Sequence, residues 1–338
     1  MQKIISFVLS EAPRLKGGEA LAVSRSESAP HYFGASVPKQ ILLDKEQHDV
    51  GGNKVQFLVK AYLPDILVVE AALEVDDIFS DKAFELRDAM VDKCHAVVKR
   101  RGGKFDFSEE YSVAIVSEYV GGPEQFFEYG SRIASFLKSE KLPLDEKEVE
   151  YTLASQIKYG KDDLVVADWD GAFIFDPHGE YQSIVELFQV ANLQLLRYRV
   201  LDYELDDRLK KVNKTLQGTS KKLTFFKDKE LGDAFRDAIA TRSRSIAEFE
   251  AMDREIKLIG DWYYARLYEL VGKKMKLDTW KNSIKEKLDS LEDVYSIVAE
   301  NFSISRTHFL ELIQIILFFI LQAGWFVLII LEFIYFTR

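Results

Sequence analysis

The sequence predicts an α+β head domain, followed by a long antiparallel helical (coiled-coil) stalk and one C-terminal transmembrane helix. Three observations predict this. Up to about residue 178, strand-like alternation and helix-like periodicity succeed one another in short blocks. From Tyr181 onward there is no proline, glycines are few, and apolar residues recur at helical spacing. From Leu312 to Leu331 the chain reads LIQIILFFILQAGWFVLIIL, an uncharged run as long as a helix needs to cross a bilayer core. The division that follows is a head over 1–178, a stalk over 179–308 and a span over 309–336.

The first fifty residues carry turn signals at Gly17-Gly18, Ala29-Pro30 and Gly51-Gly52, and read as one or two short strands with loops. Val55, Phe57 and Val59 then alternate with other residues as a strand does, Pro64-Asp65 turns the chain, and Ile66–Val75 forms the next strand. Phe84, Leu86, Met90, Cys94 and Val97 recur at helical spacing between Ser80 and Arg100, and Gly102-Gly103 stops that helix. Tyr111–Val120 is a strand. Pro123 opens a helix carrying Phe126, Phe127, Ile133, Phe136 and Leu137, because proline suits a first helical turn. Asp145 and Glu148 read as a capping box for a helix ending near Gly160. Asp163–Trp169 and Ala172–Phe175 are two strands joined by Asp170-Gly171, a strong hairpin signal.

Beyond Pro177 the periodicity is helical. Ile184, Leu187, Phe188, Ala191, Leu195 and Leu196 make a stripe in the first long helix. A lysine-rich break spans 218–230, a second long helix runs from about Glu230 to Gly272, and a third starts near Asp278 and continues into the span. Short connections between long helices favour antiparallel neighbours. Helices two and three are then long enough to bring the 218–230 break to the membrane end of the stalk. Lys221, Lys222, Phe225 and Phe226 are accordingly the residues expected to contact the membrane surface, lysines on anionic headgroups and aromatics at the interface; the alternative is a solvated loop whose phenylalanines pack on the helices.

Composition excludes some functions. A net charge of -10 is opposite to the footprint of a nucleic-acid binder. A single cysteine, Cys94, makes no internal disulfide and fits a reducing compartment. The start, MQKIISFVLSEAPRL, lacks the apolar core of an export signal, so the body is expected to stay where it is made. Lys281, Lys285, Lys287 and Arg306 precede the span while only Arg338 follows it, which places the N-terminal body on the cytoplasmic side, or on the matrix side of an organelle.

The chemistry-bearing candidates are sparse. Asp168, Asp170 and Asp176 are candidate metal-binding carboxylates, although an Asp-Gly hairpin with a capping aspartate explains them without a metal. The histidines 31, 48, 95, 178 and 308 have no zinc-ligand spacing. Phosphate-cradling and nucleophile-elbow motifs are absent from the sequence. No catalytic or cofactor-binding residue is assigned, no cofactor is expected, and the reading leans away from an enzyme. The first long helix carries Gln189, Asn192, Gln194, Arg197 and Arg199 among its apolar residues, and a buried Asn192 would fix helix register. Gln314 and Gln322 lie eight apart inside the span, near one face, and are placed to hydrogen-bond to a neighbouring copy.

Trp280, Lys287, Leu288, Leu291 and Tyr295, followed by one apolar span bracketed by Glu311 and Glu332, give the last hundred residues their character. In these the C-terminal third resembles the "required for meiotic nuclear division" family of membrane-anchored proteins. That resemblance implies an α/β body, long helices and a role as a membrane tether, with one member tied to mitochondrial translation. It carries over no catalytic residue. The plan is also similar in architecture to CorA-type magnesium transporters, which need a second span and a Gly-Met-Asn signature that this chain lacks. The function expected is therefore a membrane-tethered, non-enzymatic interaction or scaffold protein. It would oligomerise with itself and meet an unidentified protein partner. The alternatives are an oligomeric ion-transport component and a metal-dependent hydrolase using Asp168, Asp170 and Asp176.

Overall fold

A computed structural model of the chain describes residues 1–13, 15, 18–21, 40–219, 240, 243, 246–247, 249–250 and 262–336. Two compact units partition it, Met1–Tyr203 with Glu248–Ile284, and Glu204–Ala247 with Lys285–Arg338.

The first unit is organised by one mixed sheet. Its strands are β1 (Gln2–Glu11), β2 (Glu19–Ala20), β3 (Gln40–Val50), β4 (Asn53–Tyr62), β5 (Ile66–Glu74), β6 (Ser108–Val116), β7 (Gln156–Ile157), β8 (Leu164–Ala167) and β9 (Gly171–Phe175). Among the described residues they lie in the order β2-β3-β4-β5-β1-β6-β9-β8-β7. Every pairing is antiparallel except β6 with β9, where Ser112 faces Gly171 and Val116 faces Phe175.

The N-terminal stretch departs from the sequence expectation. β1 is a ten-residue strand at the centre of the sheet, and β3 is eleven residues long. In β1, Ile4 through Ser10 are all buried, because helices cover both faces of the sheet there. A strand covered on both faces loses the alternation by which strands are recognised. The Gly51-Gly52 turn lies where expected: both residues have positive φ, +56° and +82°, as a two-residue hairpin between right-twisted strands requires.

One face of the sheet carries Ile4, Val8, Phe57, Val59, Val69, Ala114, Phe173 and Phe175 into the main core. Helix α1 (Asp81–Arg100) packs on it with Met90, Cys94 and Val97. Its N-cap is Ser80, whose side chain accepts the Ala83 N–H at 3.3 Å. The single helix expected after Pro123 is instead a 3-10 segment, Pro123–Tyr129, leading into α2 (Gly130–Leu137). Three residues per turn stack Phe126 and Tyr129 on one side, and both rings lie against Phe79, at 6.1 and 4.3 Å. Helix α3 (Glu146–Leu153) starts at Asp145, which accepts from Lys147 N at 3.0 Å.

The other face of the sheet meets α4 (Gln182–Thr219). Phe7 stacks on Tyr111, and Tyr111 meets Phe188 of α4 at a tilt, ring centres 5.3 Å apart. Between Ile184 and Leu196 nearly every α4 residue is buried. Helix α5 (Trp262–Lys274) buries Tyr263, Tyr264, Leu267 and Val271 in the same unit, and α6 (Leu277–Phe336) begins there. Ser283 of α6 donates to Asp202 of α4 at 2.8 Å. In the second unit, Lys287 pairs with Asp206 at 2.8 Å and Arg208 with Glu204 at 2.9 Å.

Candidate functional site

The β8–β9 hairpin is the first candidate. Its turn is pinned from below by the buried Tyr111, whose hydroxyl lies 3.1 Å from Asp168 O and 2.8 Å from Gly171 O. Asp168 is buried, and its carboxylate is held between two cations: Lys138 Nζ at 3.1 Å on Oδ2 and Lys274 Nζ at 3.5 Å on Oδ1. Lys138 also meets Glu148 at 2.8 Å, and Lys274 lies 4.4 Å from the centre of the Tyr151 ring. This constellation ties the hairpin to the end of α2, to α3 and to α5. Asp170 stands apart from those pairs. Burial, reinforced by the nearby carboxylates Glu110 and Asp168 against the opposing charges of Arg87 and Lys138, lifts its carboxyl to about 6. Asp176 caps a turn, accepting from His178 N at 2.7 Å and Gly179 N at 3.1 Å. The three aspartates thus have three separate roles. Among the described residues no three His, Cys, Asp or Glu side chains gather to hold a metal ion.

The second candidate was not visible as a site in the sequence. On the α4 face of the sheet, a cavity of about 420 Å³ opens between β1, β4, β5 and the start of α4. Its wall includes Lys3, Gln40, Lys60, Tyr62, Glu70 and Tyr181. Lys60 Nζ is 2.7 Å from Glu70 Oε2, with both side chains nearly buried. The Gln189 amide reaches the same carboxylate from α4, while its oxygen accepts from Gln40 Nε2 at 2.6 Å. Gln40 Nε2 also lies 2.6 Å from the Tyr62 hydroxyl, and burial pushes that phenol far above its ordinary range. Lys3 Nζ donates to Tyr181 OH at 3.1 Å at the rim. The only sequence signal was Gln189 inside an apolar helical stripe, since its partners come from positions 40 and 70.

Three other polar residues of α4 differ in their surroundings. Asn192 is buried, yet its amide donates to Phe188 O at 2.8 Å, within its own helix, so its hydrogen bond does not go to a neighbouring helix. Arg199 pairs with Glu109, whose carboxyl burial raises against the pull of that arginine. Gln194 is buried with its amide nitrogen unsatisfied.

The third candidate is the end of α6. Leu310–Phe336 is a 27-residue stretch with mean hydropathy 2.5, long and apolar enough to cross a membrane, and every residue in it is exposed. Gln314 and Gln322 both lie on this exposed surface. Lys221, Lys222, Phe225 and Phe226 fall outside the described residues.

Comparison with known proteins places the head. A family model described as "Uncharacterized protein MJ0711, N-terminal domain" matches residues 6–182, from within β1 to the first residue of α4. The curated "Uncharacterized protein MJ0711" of Methanocaldococcus jannaschii is 28% identical over 251 residues, covering 73% of this chain and 74% of that protein. No solved structure matches the chain.

Proposed function

This chain belongs to the family of the MJ0711 N-terminal domain, and we propose that it is a membrane-tethered, non-enzymatic interaction protein, its α+β head held at the bilayer by a single C-terminal span. The observation that carries this reading is Leu310–Phe336. An apolar helix of 27 residues with none of its hydrophobic window buried is stable in water only if something apolar covers it. Its length, about 40 Å at 1.5 Å per residue, exceeds the roughly 30 Å hydrocarbon core and allows for tilt. The head supports the same reading. Its conspicuous charged groups are engaged with one another, Lys60 with Glu70 and Asp168 with Lys138 and Lys274. The lysines ahead of the span favour a head on the cytoplasmic or matrix side, and a helical stalk before the span would hold it off the bilayer.

The test is fractionation of cells expressing the full chain. The protein is expected in membranes, resistant to alkaline carbonate and released by detergent, with its head digested by protease only after the cytoplasmic face is opened. Recovery in the soluble fraction would overturn the tether, and protection of the head in the opposite sense would overturn the orientation.

A further inference from the structure

The polar residues of the apolar helix are not scattered round it. Between Leu310 and Phe336 the side chains bearing an amide or carboxyl group are Glu311, Gln314, Gln322 and Glu332. The helix is continuous through all four. At 3.6 residues per turn, Glu332 lies five full turns beyond Gln314, at about the same azimuth, with Glu311 about 60° and Gln322 about 80° round in one sense. All four therefore occupy an arc of about 80°, which also contains Trp325, while the remaining perimeter is aliphatic or aromatic. By the same helical rise, Gln322 sits roughly 18 Å from Leu310 and about 21 Å from Phe336, close to mid-span.

Resting on the membrane reading above, we infer that this stripe is a pairing face, and that its occupant is the same face of a second copy of this chain. An amide in hydrocarbon has no water to bond and is costly unless it finds a protein partner. Gln314 and Gln322 are exposed on their own helix, so that partner comes from elsewhere. Copies inserted in one orientation hold Gln314 and Gln322 at the same depths as their counterparts. A carboxamide carries both a donor and an acceptor, so like meets like without any change of chemistry. Phe318, between the two glutamines on the same arc, packs at the centre of the pair.

Disulfide trapping of the full chain in phosphatidylcholine vesicles tests this. The native Cys94 is buried and silent. Phe318→Cys places a thiol in the arc, and Ile320→Cys places one about 160° away at nearly the same depth. Under mild oxidation the Phe318→Cys chain is expected to form cross-linked dimers about tenfold more than the Ile320→Cys chain, and adding Gln314→Leu with Gln322→Leu is expected to remove most of that excess. Equal trapping at both positions overturns the pairing face. So does no trapping at Phe318→Cys in a chain that resists carbonate extraction, a result that assigns the stripe to a different protein and leaves the anchor intact. A chain that carbonate washes from the vesicles overturns anchor and pairing together.

Discussion

Asp170 shows what a single side chain can report. Its carboxyl is held at about 6 against an ordinary 3.8, first by burial and then by Glu110. The folded state therefore binds more protons than the unfolded state between those two values. Stability from this group is present at acid pH and is lost as the pH rises through about 6. Asp170→Asn removes the charge yet keeps a residue that suits the position before Gly171. It is expected to raise stability at pH 8 on the order of 1 kcal/mol, a figure reduced for solvent screening at a partly exposed site. The gain should fall to about half at pH 5 and vanish only below the ordinary carboxylate value of 3.8, which urea titrations at pH 8, 5 and 3 measure. A loss of stability at pH 8 would show that Arg87 and Lys138 outweigh burial. The sequence offered these aspartates as turn residues or as metal ligands, and gave no sign of their cation partners. The cations around Asp168 come from positions 138 and 274, and the Gln189–Glu70 contact joins residues 119 apart in the chain. Side-chain pairs of that separation leave no local pattern to read.

At the scale of elements, alternation marked the first half of β4 and turn residues bounded the fully buried β8 and β9, whereas β1, wrapped on both sides, shows no alternation. The Gly51-Gly52 turn was found where expected, while the β8–β9 turn spans Asp168–Asp170 with Gly171 already in the strand, so the expected two-residue Asp170-Gly171 turn is not formed. The β9 start adds a constraint that periodicity does not carry. A Cβ on Gly171 would lie 2.8 Å from Ser112 O, on the adjacent parallel strand, where backbone cannot easily yield. Gly171→Ala is expected to cost about 2 kcal/mol through strain at the β6–β9 seam, read as a lower urea midpoint with unchanged slope. An unaffected midpoint would mean that the strands separate there at little cost. The helix after Pro123 carries a similar lesson: apolar spacing announced a helix, but stacking of Phe126 and Tyr129 on Phe79 selected the tighter 3-10 winding.

For the molecule as a whole, the sheet-bearing unit has its own core, from Ile4 to Phe175, and needs nothing from the apolar end of α6 to form it. A chain ending before Arg306 is expected to be soluble without detergent and to unfold cooperatively, as monitored by circular dichroism and light scattering. Insolubility of that fragment, with a well-behaved full chain, would show that head and span fold together. That an apolar helix ends the chain was plain from composition alone, because length and lack of charge suffice. The order of strands could not be read in that way, and it bears on how the protein is made. β1 leaves the ribosome first yet occupies the middle of the sheet, between β5 and β6, whose last residues are Glu74 and Val116. At about 5–20 residues per second, roughly 5–20 s separate the emergence of Glu11 from that of Val116. Until β5 is complete both edges of this apolar ribbon are open to any nascent neighbour, and until β6 is complete one of them still is. Translation speed over the codons from β1 to β6 thus becomes a lever on yield: slow decoding lengthens the wait, and rapid decoding shortens it.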